Sequence, residues 1–546
     1  MSLSTSVGDS EKEIPMPLMA GTCARRSAGK RFIPRRGTRS MKVRSVLLVN
    51  AGSDADVSSI ANDGTFPALG VVSLATVLRR DHPDVDVIAI DGQITPMEEI
   101  ERLIADFDPD VLGVGVLATS YGNALRLAEL GKDVGAVTVF GNDQATAMGE
   151  RILKHREGVD YVCAADVGEF ALSALVSALD GERPIDSVPE LLYRTPDGIG
   201  HNRLPEIPPD QIRGGGGAFQ SMVLDAIPVP DRTLMPDANW NRYLDNYLNR
   251  YGGFHDEEVT GVTTMNRARG CARVKSPCHF CGIMDLSLRF SSPEMFWNDV
   301  RTAQEQISAS IFYEAFDSMS SSPRWVKAVV EAKPDDIGEP KFFVYTQAAE
   351  TTPRLVEMYQ KLGVYRVNMG LESGDTQMLK FLKGPRDSLE NNQRACRLFK
   401  EAGILIHGSL VLGGPGETLE SLENTVRFGR WLIDNEMMAS LEAQPLYPDF
   451  GALTGKWMMN PDRARQVAQE RGFEILDEKL LDLMPSKYGS TDMVDFDEVS
   501  KDWCKIFSHA TWDELIDATH TIRSYAERCG TVTGSGRITQ ATLGSF

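Results

Sequence analysis

Three of the chain's eight cysteines crowd into one stretch, Arg269-Gly270-Cys271-Ala272-Arg273-Val274-Lys275-Ser276-Pro277-Cys278-His279-Phe280-Cys281. The others, Cys23, Cys163, Cys396, Cys504 and Cys529, are scattered, which suits a metal site better than a disulfide framework. Thiolates at Cys271, Cys278 and Cys281 can hold three irons of a four-iron, four-sulfur cubane. The fourth iron then stays open to chelate the amino and carboxylate groups of an incoming molecule, a position that a fourth cysteine would close. The competing chemistry is a zinc knuckle with His279 or a distant residue as the last ligand, since closed zinc sites also use Cys-x-x-Cys pairs. It is disfavoured because no second ligand pair follows nearby, and His279 reads as an ordinary loop residue.

The elements that must position this loop alternate between strand and helix. Strand-like runs at 262–265, 311–316, 341–346, 365–369, 404–412 and 440–445 are separated by helical segments near 293–308, 324–332, 353–362, 389–402 and 419–434. Six units fall short of the eight of a full barrel, so the spacing predicts a partial (β/α)6 barrel over residues 259–445, with the cysteine loop at the end of its first strand. Reactive groups belong at the carboxyl ends of such strands. Glu314 ends the second; Thr346 and Gln347 follow the third; Glu372 ends the fourth; Ser409 lies on the fifth and Gly413-Gly414 follow it. His407 is equally readable as a strand histidine with its hydrogen bonds satisfied. Upstream, runs at 43–50, 85–90, 111–117, 137–140 and 161–164 alternate with helices and predict a doubly wound Rossmann-like α/β domain over residues 41–185. Its ligand-facing loops are Ala51-Gly52-Ser53, Thr119-Ser120 and Gly141-Asn142. Residues 186–258, rich in Pro and Gly, read as a linker; 446–546 read as a mainly helical, substrate-covering region; and 1–40, with a basic run and no hydrophobic period, read as a disordered tail.

Composition narrows the partners. A chain of 546 residues, 42% hydrophobic and 25% charged, has material for several cores. A formal net charge of −20 argues against a nucleic-acid backbone as partner, because counterion release needs clustered Lys and Arg. No apolar run is long enough to span a membrane and the first forty residues lack a secretory apolar segment, so the expected compartment is the cytoplasm and the expected partner a small molecule.

The cysteine stretch resembles the cluster loop of the radical S-adenosylmethionine superfamily, whose usual spacing is three residues and then two. Here the first gap has six, while the aromatic Phe280 before the last cysteine matches. Asn368-Met369-Gly370-Leu371-Glu372-Ser373-Gly374 resembles the family segment that meets the ribose or methionine part of S-adenosylmethionine (SAM). Val411-Leu412-Gly413-Gly414-Pro415-Gly416-Glu417-Thr418 resembles its glycine-rich turn near adenine. The resemblance gives Glu314 the role of accepting from the methionine ammonium, with Thr346, Gln347 and Ser409 as further polar contacts. Glycines there let the backbone approach a flat ring, and Glu372 offers acceptors.

The upstream domain is similar to that of the cobalamin-binding subgroup of the superfamily, through Pro67-Ala68-Leu69-Gly70, Asp108-Pro109-Asp110-Val111-Leu112-Gly113 and Gly141-Asn142-Asp143-Gln144-Ala145-Thr146. The likeness extends over nearly the whole chain after residue 41. It implies a [4Fe-4S] cluster, SAM and cobalamin as cofactors, with Thr119, Ser120, Gly141 and Asn142 near the corrin. Two departures stand out: the usual Gly-Gly-x-His-Ala-Thr turn is altered, and no Asp-x-His-x-x-Gly motif exists, so any corrin would have no protein imidazole beneath cobalt. The implied activity is C-methylation of an unactivated carbon in a natural-product intermediate, free or carrier-tethered, with an electron donor such as flavodoxin or ferredoxin. The alternatives are a radical rearrangement, oxidation or cyclisation with a spectator corrin, and a non-catalytic corrin- or zinc-binding sensor.

Overall fold

The computed structural model describes residues 42–53, 64–165, 167–203, 223–275, 277–282, 288–489, 495–531 and 533. The basic segment 1–40 and the glycine run 214–217 lie outside them. Strands β1 (Ser45–Asn50), β2 (Asp86–Asp91), β3 (Val111–Gly115), β4 (Val137–Gly141) and β5 (Tyr161–Cys163) are parallel, and β6 (Leu191–Thr195) and β7 (Gly198–His201) extend the same sheet antiparallel. The order is β2-β1-β3-β4-β5-β6-β7. The chain leaves β1 outward to β2 and returns past it to β3, so a crevice opens between the carboxyl ends of β1 and β3. Near-continuous apolar strands such as Val46-Leu47-Leu48-Val49, at most 1% exposed, are what a sheet covered on both faces requires.

The segment expected to be a linker carries more structure than its composition suggests. Besides β6 and β7 it holds the helix Asp237–Tyr251, whose buried side is built from Trp240, Tyr243, Tyr247 and Tyr251. These rings pack with Phe66 and Phe343, filling space between the two sheets. Tyrosines satisfy both demands of that place, an apolar body and a hydroxyl that reaches a partner: Tyr243 donates to Asp91, at the end of β2, and Tyr247 lies 2.6 Å from the Tyr365 hydroxyl.

The second sheet is made of β8 (Val262–Met265), β11 (Ile311–Glu314), β12 (Lys341–Thr346), β13 (Val364–Glu372), β14 (Leu405–Leu412) and β15 (Ser440–Pro445), all parallel, in the order β15-β14-β13-β12-β11-β8. Between β8 and β11 lies a small antiparallel pair, β9 (Ala268–Arg269) with β10 (Arg289–Phe290). Sequence-consecutive neighbours with a helix after each strand give the partial barrel. Helix starts are set locally: Ser292 and Thr352 cap helices whose first residues are Pro293 and Pro353, and Ser388 and Thr418 cap the helices Leu389–Glu401 and Leu419–Asp434. Alternation along the strands sends Phe312, Val344, Val367, Met369, Ile406 and Leu441 into the helix-facing core. The register aligns Tyr313, Phe343 and Arg366, and above them Tyr345, Asn368 and His407, on the opposite, interior face.

The C-terminal region is helical, from Leu453–Met458 to Trp512–Arg528. Its Trp457, Leu481, Met484, Trp503 and Phe507 join one apolar cluster with Leu47, Val49 and Leu112 of the first sheet and Val411 of the second. No helix among the described residues is long and apolar enough to cross a membrane.

Candidate active site

The cysteine loop rises from a two-residue stalk in which Arg269 pairs with Arg289 and Ala268 with Phe290. It turns sharply at Gly270, whose φ of +88° favours glycine and whose N–H donates to Asp317 Oδ2 at 2.8 Å. Cys271, Cys278 and Cys281 are each half-buried, and the Cys281 N–H closes a turn on the Cys278 carbonyl at 3.2 Å. Burial pushes the thiols of Cys271 and Cys278 up; at Cys278 the charges of Lys383 and Arg273 oppose it. The Gln347 amide donates to Cys271 Sγ at 3.4 Å.

Among the described residues no group of three or more His, Cys, Asp or Glu converges on a single-ion position. His279, the candidate fourth zinc ligand, packs edge-on against Phe381 and Trp457, and burial lowers its pKa to about 4. Three half-buried thiols on one loop, with the Gln347 amide donating to Cys271, are a donor set that fits an iron–sulfur cluster.

Two carboxylates stand at the ends of strands on either side of β12. Glu314 closes β11, fully buried; one oxygen accepts from the Arg267 N–H at 3.0 Å and the other has no hydrogen-bond partner. Burial pushes its carboxyl up to about 8. Glu372 closes β13 with φ +56°, an uncommon conformation for a residue with a side chain, at a register irregularity between Gly370 and Glu372. One of its oxygens meets Lys383 Nζ at 3.2 Å and the other is buried without a partner. Burial raises this carboxyl and Lys383 opposes the rise. A side chain at Gly370 would lie 2.0 Å from Glu372 Oε1, so glycine there makes room for the carboxylate. Unpartnered buried acceptors suit a ligand that brings an ammonium and hydroxyls, as SAM does.

The glycine turn is held from both sides. Gly413, at φ +93°, donates its N–H to Glu417 Oε2 at 3.0 Å, and its carbonyl accepts from Trp503 Nε1 at 2.9 Å. A Cβ on Gly413 would meet Leu515 Cδ1 at 2.9 Å, and one on Gly414 would meet Met378 Sδ at 2.4 Å. Thr346 is buried with its hydroxyl 3.2 Å from Tyr359 OH, while Gln347 is engaged by Arg273, Ser318 and Cys271. Ser409 lies half-buried on the interior face beside Gly370 and Glu442. His407 is buried and hydrogen-bonded to Ser440, the satisfied alternative.

In the first domain the Thr119 hydroxyl bridges the crevice by accepting from Ser53 Oγ at 2.8 Å. Ser120 is buried, its hydroxyl turned back on Leu117; Gly141 ends β4; and Asn142, exposed at φ +77°, caps the next helix. A cleft of about 350 Å³ at the ends of β1 and β2 is lined by Gly52, Ser53, Gly92, Gln93, Thr95 and Asn123, and by none of those four residues. Gly52 and Gly92 cross so closely that a Cβ on Gly52 would sit 2.2 Å from the Gly92 carbonyl oxygen, and the buried Thr95 hydroxyl has no partner. A cradle of close backbone with a spare hydroxyl fits part of a large polar cofactor. The two domains touch through polar contacts: Thr264 of β8 donates to the Pro67 carbonyl at 2.7 Å, and Arg269, at the base of the cysteine loop, pairs with Glu169 at 2.8 Å.

Sequence reasoning did not single out Lys383, Asp387, Gln93 or Asn123. Nor did it give a role to Arg273, which lies inside the cysteine stretch.

The Radical SAM superfamily model matches residues 265–429 and the B12 binding domain model residues 58–176. An uncharacterised methyltransferase of Pyrococcus horikoshii is 24% identical over 72% of this chain and 79% of its own length. The anaerobic magnesium-protoporphyrin IX monomethyl ester cyclase of Rubrivivax gelatinosus is 24% identical over 75% of this chain and 70% of its own. The solved structure of the radical SAM methyltransferase TsrM from Kitasatospora setae, with cobalamin and [4Fe-4S] cluster bound, aligns with a TM-score of 0.58 at 18% identity, covering 78% of both chains. The chain carries a B12 binding domain followed by a Radical SAM superfamily domain.

Proposed function

We propose that this enzyme is a C-methyltransferase acting on an unactivated carbon of a small natural-product intermediate. The observation that carries the reading is the pair of unpartnered buried carboxylate oxygens, on Glu314 and Glu372, at strand ends beside the cysteine loop. In this reading Cys271, Cys278 and Cys281 hold the cluster, Glu314 takes the methionine ammonium, Glu372 the ribose or methionine part, and the Gly413-Gly414 turn the adenine. Gln347 lies against the cluster, Thr346 and Ser409 line the same end of the barrel, and Thr119, Ser120, Gly141 and Asn142 border the corrin. The division of labour follows the chain: 41–185 for the corrin, 259–445 for SAM, and 446–546 to cover the substrate, which is free or carrier-tethered. When bound, the cluster supplies the electron that cleaves SAM reductively and the corrin supplies the methyl group. The chain's own residues hold the two cofactor ends against one cavity and exclude water from it. A flavodoxin or ferredoxin is the matching class of electron donor.

A methyltransferase relative supports methyl transfer; the cyclase relative supports a second reading, radical cyclisation or oxidation with a spectator corrin. The test is anaerobic incubation of cobalamin-loaded, reconstituted enzyme with SAM, reductant and deuterated candidate substrates. Methyl transfer with hydrogen abstraction gives S-adenosylhomocysteine alongside deuterated 5'-deoxyadenosine; deuterated 5'-deoxyadenosine without S-adenosylhomocysteine sinks the methyltransferase reading. Cys278→Ala should lower bound iron and sulfide and abolish both products, and a Cys278→Ala protein with wild-type turnover would remove the cluster assignment.

A further inference from the structure

The gap between the first two cysteines is six residues long and carries Arg273. Arg273 is buried, and every nitrogen of its guanidinium is used. Nη2 donates to both oxygens of Asp387 at 2.9 and 2.8 Å, Nη1 to the Lys383 carbonyl, and Nε to Gln347 Oε1. Asp387 is itself buried, 3% exposed, so the pair is shielded from solvent screening.

The contact with Gln347 has a directional consequence. A primary amide can turn either end toward a neighbour, but a guanidinium only donates, so Arg273 compels the carbonyl oxygen to face it. The NH2 group is left facing the other way, where it donates to Cys271 Sγ at 3.4 Å and Ser318 Oγ at 3.0 Å. The same guanidinium, separated from the Cys271 sulfur only by that amide, also brings a positive charge close behind it. Two features that stabilise electron-rich sulfur, a hydrogen bond to the thiolate and a cation one side chain away from it, thus originate in Arg273.

We propose that Arg273 is a positioning residue that raises the reduction potential of the cluster, by turning the Gln347 amide onto Cys271 and by fixing a positive charge behind that amide. The inference rests on the assignment of these cysteines as cluster ligands. One-electron reduction adds negative charge to a cluster already held by thiolates, so a nearby cation and a donor to sulfur favour the reduced form. The geometry makes this a property of the lengthened loop, because Asp387 and the Lys383 carbonyl anchor the guanidinium from the barrel side.

The test is a redox titration of the reconstituted full-length protein followed by electron paramagnetic resonance, with iron and sulfide counted and folding checked by circular dichroism. Arg273→Gln should shift the midpoint to more negative potential, and Arg273→Lys, which keeps the charge but not the fork, should shift it less. A midpoint in Arg273→Gln equal to wild type, or a shift in Arg273→Lys as large as in Arg273→Gln, overturns the proposal. Should Arg273→Gln fail to hold a cluster, Asp387→Asn carries the test: removal of the counter-charge should move the midpoint upward, and an unchanged or lower midpoint overturns it. Wild-type protein that holds no cluster under the same conditions would refute the cysteine assignment instead.

Discussion

A buried carboxyl with one free oxygen is costly unless its state matches its surroundings. Glu314, pushed up to about 8 by burial, is mainly protonated at neutral pH before a ligand arrives. Because its folded value lies above the ordinary 4.5, its contribution to the stability of the ligand-free protein is present at low pH and is lost as pH rises through about 8. An ammonium placed against it reverses the preference and drives the proton off. SAM binding by the cluster-loaded enzyme is therefore expected to release a proton near pH 7 and to tighten as pH rises from 6 to 8, by up to about tenfold per unit. Calorimetry in two buffers of different ionisation enthalpy measures this. Glu314→Gln should abolish the release and weaken binding about 10- to 100-fold, the worth of a charge-assisted hydrogen bond; a variant with wild-type affinity and proton release would detach Glu314 from the cofactor. Glu314 and Glu372 were legible in the sequence because each ends an apolar strand run. Asp387 was not, since its partner Arg273 lies 114 positions away and no local pattern joins them.

At the scale of elements, the alternation of period-2 and period-3.6 apolar patterns made both parallel sheets readable, and Pro after Ser or Thr marked helix starts at Pro293 and Pro353. Less readable were β6, β7 and the helix Asp237–Tyr251. The strands are short and lie in Pro- and Gly-rich chain, and the helix buries tyrosines rather than aliphatic side chains, so its hydropathy looks polar. The C-terminal helices carried no motif, because their part at the site is to brace another element. Trp503 donates to the Gly413 carbonyl, the Gly416 N–H donates to the Phe507 carbonyl at 2.7 Å, and Leu515 packs where a Gly413 side chain would sit. Trp503→Phe should cost about 1 kcal/mol through the lost hydrogen bond. Gly413→Ala should cost about 1–3 kcal/mol, combining a left-handed backbone with the clash against Leu515. Chemical denaturation measures both, and SAM affinity should fall more in Gly413→Ala than in Trp503→Phe. Equal stability of Gly413→Ala and wild type would show that the turn relaxes freely.

Over the whole molecule, cofactor chemistry on two domains demands that their carboxyl ends stay in fixed relation, since misplacement by an ångström costs orders of magnitude in rate. Arg39–Phe546 forms one compact unit, and the contacts that join its sheets are specific rather than merely apolar. The most consequential is the pair of Glu169, at the start of a first-domain helix, with Arg269, immediately before Gly270 and Cys271. Burial pushes the Glu169 carboxyl up, but the Arg269 charge and hydrogen bond outweigh it and hold the group below the ordinary carboxylate value, with Ser73 donating at 2.8 Å. Its stabilising contribution is therefore present at neutral pH and is lost as pH falls below about 4.5, through the depressed folded value. Breaking a buried pair from one side leaves a charge without its counter-ion, typically a loss of about 3–5 kcal/mol. Glu169→Gln should lower stability by a large part of that amount at pH 7, with the difference from wild type shrinking toward pH 4. Since Arg269 also roots the cysteine loop, the same variant should hold less iron after reconstitution, whereas a substitution at the exposed Glu150 should change neither. Unaltered stability and full iron in Glu169→Gln would mean that the cysteine loop takes its position from the barrel alone, independently of the first domain.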